Sequence, residues 1–237
     1  MGNNAVFVTH LLFPGPAFYS GPPFAGRRSM NTRLYLFLAA SLLLGGCIRT
    51  DRYEPQPQPQ QYEFVEDFNN NARNWAFYDP ANNAEVQITG GKLKYTYYPS
   101  GTGSNTVAVN TGSRLNTDFS IQTGIRNNNA MGLVFGVSPS SYGYSFFIDP
   151  NGYFAVYDEG DASHAPQTLI DWTASNAIGS GWNDLELTQQ NGYWTGYCNG
   201  VQLFAIASRP LYGQQVGFIV LDHTTGYADY LYLQWWQ

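Results

Sequence analysis

From about residue 63 to Gln237 the chain is cut into short segments that are apolar throughout or alternate between apolar and polar, each bounded by Gly, Asn, Asp, Pro or Ser. VQITGGKLKYTYY, NTVAVN, DFSIQTGI, GLVFGV, YSFFID, YFAVYD, NDLELTQ, YWTGYCNGVQLFAI, QVGFIVLD and ADYLYLQ read as strands or hairpins. No long stretch repeats at helical spacing. About a dozen strands in about 175 residues, joined hairpin to hairpin, predict an all-β domain: a two-sheet antiparallel β-sandwich.

Two hairpins allow side chains to be assigned to faces. In YSFFIDPNGYFAVY the turn Asp149-Pro150-Asn151-Gly152 fits a type I turn with Gly152 left-handed, which sets Asp149 opposite Tyr153. Ile148 then pairs with Phe154, Phe146 with Val156 and Tyr144 with Asp158, and Phe146, Ile148, Phe154 and Val156 are the predicted core. Tyr153, Tyr157 and Phe147 fall on a second, half-exposed face, where rings beside small residues suit the apolar face of a sugar. They also suit ordinary cross-strand packing. In CNGV, Asn199-Gly200 fits a type I′ turn with Cys198 opposite Val201. Counting outward puts Cys198, Val201, Gly196, Leu203, Trp194 and Ala205 on the core side, and Tyr197, Gln202, Thr195, Phe204 and Tyr193 on the other. Cys198 is thereby a small buried residue and not a nucleophile.

The 237 residues hold 11 Lys and Arg against 17 Asp and Glu, a net charge of −6, and no basic stripe, which excludes nucleic acid as a partner. Residues 1–29 are Gly/Pro-rich without sustained periodicity and read as an over-extended start ahead of Met30. Residues 30–46 supply Arg33, an apolar run from Leu34 to Leu44 and the small pair Gly45-Gly46. About eleven apolar residues fall short of the roughly twenty a membrane span needs, so this is a signal peptide. Its end, LGGC, resembles a bacterial lipobox, which implies cleavage before Cys47 and acylation of that cysteine. Residues 1–46 together carry three of the 11 basic residues, Arg27, Arg28 and Arg33, and no acid, so their removal leaves 8 against 17, a net charge of −9. Residues 47–62 then form a Pro/Gln-rich linker, IRTDRYEPQPQPQQY, a polyproline II spacer reaching up to about 45 Å. Ile48 after the cysteine, by resemblance to the enterobacterial sorting rule, implies the outer membrane, with periplasmic or surface display open. With Cys47 acylated, Cys198 has no free thiol to pair with in the mature chain, so packing must hold the fold.

EDFNNNARNW, ITGGKL, GLVFGV, YSFFIDPNGYFAVY, LIDWTASNAI, NDLEL…GYWTGYCNGVQL and VGFIVLD, in that order, resemble the concanavalin A-like, laminin G-like modules over nearly all of residues 63–237. The resemblance implies a jelly roll with a concave face that often takes carbohydrate or peptide. It does not imply catalysis. Glycosidases of that superfamily carry E-x-D-x-E or E-x-D-x-x-E on one strand, and no such run occurs here. The nearest local pattern is NDLELT, where alternation sends Leu185 and Leu187 inward and leaves Asp184 and Glu186 roughly 6.5–7 Å apart on the opposite face, near the lower end of an inverting pair's spacing. Asp158, Glu159 and Asp161 sit in YDEGDASHAP, which reads as a solvated loop. His164 and His223, the histidines of the mature chain, lie in no zinc-binding or triad pattern. Asp67 and Asp229, on the expected first and last strands, are the candidate ligands for a structural calcium.

These features predict a lipid-anchored, non-catalytic binding module for a glycan or other surface polymer. The alternatives are an interaction lipoprotein docking on an envelope protein and a glycoside hydrolase with a non-standard site at Asp184 and Glu186.

Overall fold

The computed structural model describes residues 58–237 except residues 162 and 164. The expected over-extended start, signal peptide and lipidation at Cys47, most of the expected linker, and His164 lie outside the described residues. Sixteen strands follow: β1 (Gln61–Glu66), β2 (Phe77–Asp79), β3 (Ala84–Ile88), β4 (Leu93–Tyr97), β5 (Ser104–Asn110), β6 (Phe119–Asn127), β7 (Met131–Val137) and β8 (Tyr144–Ile148), then β9 (Tyr153–Asp158), β10 (Gln167–Ala174), β11 (Asn183–Gln190), β12 (Tyr193–Cys198), β13 (Val201–Ala207), β14 (Gln215–Leu221), β15 (Thr224–Ala228) and β16 (Leu231–Trp236). The described residues contain no helix, and the expected sandwich of two antiparallel sheets is what they form. β1, β2, β10 and β15 are strands beyond the segments read from the pattern above, and the first begins at Gln61, two residues ahead of the expected boundary.

Ten strands make the large sheet in the order β13-β12-β11-β6-β15-β4-β3-β2, with β16 sharing the edge of β6 and β1 paired to β16. Six make the small sheet, β10-β9-β8-β7-β14-β5. The inward faces meet in one core. Trp194 packs edge-on to Phe135 at 5.0 Å and Tyr144 at 4.6 Å, and Trp75 sits between Phe68 and Phe218. Within this core Glu66 is buried. Its carboxylate accepts from Phe68 N at 3.0 Å and Trp75 Nε1 at 2.9 Å, and it pairs with Arg73 Nε at 3.3 Å. Burying that charge is tolerable because both oxygens are occupied by donors and a cation stands beside it.

The β8–β9 hairpin has the register expected from its turn. Tyr144, Phe146 and Ile148 face Asp158, Val156 and Phe154, and Phe146, Ile148, Phe154 and Val156 lie in the core. The second face differs from expectation. Phe147 is 1% exposed, clustered with Ala130, Val134, Val137 and Ile219 on the outer side of the small sheet, with the Tyr157 and Trp172 rings packed against it.

The β12–β13 hairpin starts as expected, with positive φ at Asn199 and Gly200 and Cys198 opposite Val201, but slips after its second pair. A β-bulge at Leu203 puts Phe204 opposite Gly196. Phe204 is therefore buried where the continuous register put it outside, and Ala205 is exposed where that register put it in the core. Space explains the slip. Gly196 has no side chain, and the Phe204 ring fills its place, edge-on to Phe146 at 5.0 Å and stacked on Phe154 at 6.2 Å.

Candidate functional site

The strands β12, β11, β6 and β16 lie side by side in the large sheet, and their alternation sends every second side chain outward. On β11 the apolar Leu185 and Leu187 are buried, which leaves Asp184, Glu186 and Thr188 outside. Register then arranges the outer face in rows across the strands. One row runs Tyr197, Glu186, Gln122, Tyr232, and the next Thr195, Thr188, Ser120, Gln234. Beyond it Tyr193 stands opposite Gln190, and Trp236 N bonds Asp118 O at 3.1 Å.

Read along the strands, the rows form a trough. Tyr193 and Tyr197 stand on one side, Tyr232 and Trp236 on the other, three interstrand steps or about 14 Å apart. The floor between them is hydroxyls, amides and one carboxylate. Glu186 Oε1 accepts from Ser120 Oγ at 3.0 Å and from Gln122 Nε2 at 3.2 Å. Both bonds fall on one oxygen, and among the described residues Oε2 has no partner. Tyr230, at the next row, offers its hydroxyl to Asp184 Oδ1 at 3.5 Å. Burial, and then the charges of Asp184, Asp229 and Glu186, push the Tyr230 phenol upward, so it stays a hydrogen-bond donor. At the Trp236 end the trough deepens into a cavity of about 410 Å³ lined by Trp236, Tyr197, Ser120, Thr188, Gln190 and Pro59.

Of the residues singled out in the sequence, Asp184 and Glu186 lie on this face as expected. The third outward position of their strand is Thr188, so the strand supplies two carboxylates and not the three of an E-x-D-x-E run. The ring candidates lie elsewhere. Phe147, expected to be half-exposed, is buried. Tyr157 lines a separate cavity of about 240 Å³ on the small sheet with Phe147, Glu159 and Leu221, and Tyr153 stands apart at the hairpin tip, 42% exposed.

The loop reading of YDEGDASHAP is also corrected at its start. Asp158 ends β9 and is buried, accepting from the Tyr212 hydroxyl at 2.6 Å with Arg209 at 3.6 Å. Glu159 accepts from the Ser145 hydroxyl, and burial raises its pKa. Asp67 and Asp229 fall just outside the paired strands β1 and β16. Asp67 caps Asn69, at 3.1 Å from its backbone N and 2.6 Å from its Nδ2, and Asp229 takes Lys92 Nζ at 2.5 Å. No group of three or more His, Cys, Asp or Glu suited to a metal ion occurs among the described residues. Cys198 is buried, and burial followed by the charge of Asp184 pushes its thiol up to about 11, which suits a packing residue.

Sequence reasoning missed Trp236. The signal was present in LYLQWW, where Leu231 and Leu233 declare the inward parity and so leave Tyr232, Gln234 and Trp236 outward.

Two antiparallel sheets with an open, ring-walled trough on one outer face define the class: a β-sandwich with a surface groove. Among solved structures the chain is similar to the carbohydrate-binding module CBM66 from Bacillus subtilis (13% identity, 73% of this chain and 94% of that chain covered, TM-score 0.43). It is similar also to the CBM2 module of the evolved Dit protein of Lactobacillus casei BL23 phage J-1 (13%, 76% and 97%, TM-score 0.45). A third is the κ-carrageenase from Pseudoalteromonas carrageenovora in complex with an oligotetrasaccharide of κ-carrageenan (8%, 79% and 100%, TM-score 0.46). No protein-family model matches the chain, and no curated protein matches it.

Proposed function

We propose that the protein is a non-catalytic glycan-binding module, held at the cell envelope by a lipid on Cys47, whose ligand lies in the trough on the outer face of the large sheet. The observation that carries this reading is the pairing of ring walls with a polar floor. Trp236 and Tyr197 offer apolar faces to the C–H side of a sugar ring, while Ser120, Thr188, Gln122 and Glu186 offer donors and acceptors to its hydroxyls. A protein partner would find little here to dehydrate profitably, since the floor is polar and the rings stand apart. The trough is open along the strand direction, which suits the interior of a chain and not a terminal sugar alone.

The test is a glycan array probed with the protein and its Trp236→Ala and Tyr197→Ala variants. Each variant is expected to weaken binding of the same glycans by about tenfold, a stacking contact of roughly 1–2 kcal/mol, with folding unchanged. Binding that survives both substitutions would move the site elsewhere, and wild-type protein that recognises no glycan would refute the reading.

A further inference from the structure

We infer that the glycan is an acidic one, and that Arg126, with Lys94 two strands away in the same row, receives its carboxylate or sulfate ester. This rests on the glycan reading above and adds the charge class of the ligand. Arg126 faces outward on β6, the strand that supplies Ser120 and Gln122 to the floor, and lies six residues beyond Ser120, about 20 Å along the same track. Its row runs through Tyr227 to Lys94 by strand register. Trp182 continues the outward parity of β11 and meets Arg126 from the other side.

The guanidinium is held and not yet used. It lies 5.3 Å from the Trp182 ring centre and 5.0 Å from that of Tyr227, two cation–π contacts that fix its direction without neutralising its charge. The Trp182 segment is itself pinned. Buried Asn183 accepts from Gly179 N and donates to Gly179 O, both at 2.8 Å, and receives Asn199 Nδ2 at 3.0 Å. Lys92 nearby is taken by Asp229, but among the described residues no carboxylate pairs with Arg126 or Lys94. Arg126 opens onto a cavity of about 270 Å³ whose other walls include Ser180, Thr225, Tyr227 and Asn128, all able to donate to an anionic oxygen.

The rest of the molecule narrows the ligand further. With a net charge of −6 over the full chain, with Glu186 in the trough floor and Asp184 between that floor and Arg126, a densely charged polyanion is repelled overall. The arrangement fits a mainly neutral chain with an occasional acidic group: neutral sugars between the ring walls, and one carboxylate or sulfate about 20 Å further on.

The test compares matched fragments by calorimetry. The carboxylate probes are glucuronoxylan and pectin oligosaccharides, each paired with its carboxyl-reduced form; the sulfate probe is a sulfated galactan oligosaccharide paired with its desulfated form. The expected result is that at least one acidic fragment binds about fivefold tighter than its neutral partner, the scale of an exposed ion pair. Arg126→Gln is expected to erase that preference while leaving neutral binding unchanged and lowering the melting temperature by no more than about 5 °C for the two lost cation–π contacts, Lys94→Gln to reduce it, and Trp236→Ala to weaken both forms together. Whether the reduced or the desulfated pair shows the difference tells carboxylate from sulfate. Equal binding of acidic and neutral partners, or a preference that survives Arg126→Gln, overturns this inference and leaves the glycan reading standing. Failure of every fragment, neutral ones included, takes both down.

Discussion

Replacing Gly196 with alanine tests the hairpin that carries Tyr193 and Tyr197. A Cβ built on Gly196 would stand 2.1 Å from Phe204 Cε1, 2.4 Å from Cζ and 2.8 Å from Cδ1, so the ring must move. It has nowhere easy to go, because Phe146 meets it edge-on at 5.0 Å and Phe154 stacks at 6.2 Å. Overpacking of this kind costs about 2–3 kcal/mol, the upper part of the usual range, since the obstacle is a wedged ring and not a free side-chain tip. For a domain of this size that is a fall in melting temperature of about 6–10 °C, read by thermal denaturation. Phe204→Leu, which trims the obstacle, is expected to cost about 1–2 kcal/mol alone. The double variant should cost about 1 kcal/mol less than the two singles together, because the two changes meet at one contact. A Gly196→Ala variant within about 2 °C of the parent would refute the reasoning. It would mean that Phe204 does not sit on Gly196, that β12 and β13 pair without a bulge, and that Phe204 stands on the outer face beside Tyr197.

Glu66→Ala strands the Trp75 indole N–H and the Phe68 amide in the core, and is expected to cost about 3 kcal/mol in chemical denaturation. Arg73→Met should cost under about 1 kcal/mol, since Arg73 is half-exposed, and equal losses for the two would refute the assignment of Glu66 as the hub. Glu159→Gln is expected to raise the melting temperature at pH 7. Burial lifts the Glu159 carboxyl above its ordinary value, so the fold favours the neutral acid. Its contribution to stability is present at low pH and is lost as pH rises from about 4.5 through the folded value. The gain should therefore vanish in scans below pH 4.5, and a gain independent of pH would show that charge is not its source.

Alternation read in single strands went far, and failed where the deciding contact came from another part of the chain. The β8–β9 register was legible because D-P-N-G leaves little choice of turn, and all four core assignments there hold. The β12–β13 register was legible only as far as the N-G turn reaches. Leu203 and Phe204 are both large and apolar, so either parity yields a plausible apolar face, and only the empty space over Gly196 chooses between them. Asp158 looked solvated because its neighbours are Glu, Gly and Asp. Its burial is produced by Tyr212 and Arg209, some fifty residues later. The trough is the extreme case. Tyr197, Glu186, Ser120 and Trp236 come from four strands, and their alignment is a matter of strand order, which periodicity does not encode. Phe147 and Tyr157, by contrast, share one hairpin, so their proximity is legible in sequence although their burial is not.

Gln60 and Gln237 exchange backbone hydrogen bonds, N to O at 2.7 Å and 3.0 Å, at the end of the β1–β16 pair. Pro59, one residue before Gln60, and Trp236, one residue before Gln237, line the cavity at the end of the trough. Whatever precedes residue 58 therefore enters the fold at the rim of the cavity. On the proposed reading, a load drawn between a bound glycan and the chain leading into β1 enters the sandwich at this corner, first at the two Gln60–Gln237 hydrogen bonds and then along the β1–β16 pairing. If the module works as proposed, grip and tether meet at one joint, and the strength of the β1–β16 pairing limits how hard the molecule holds on.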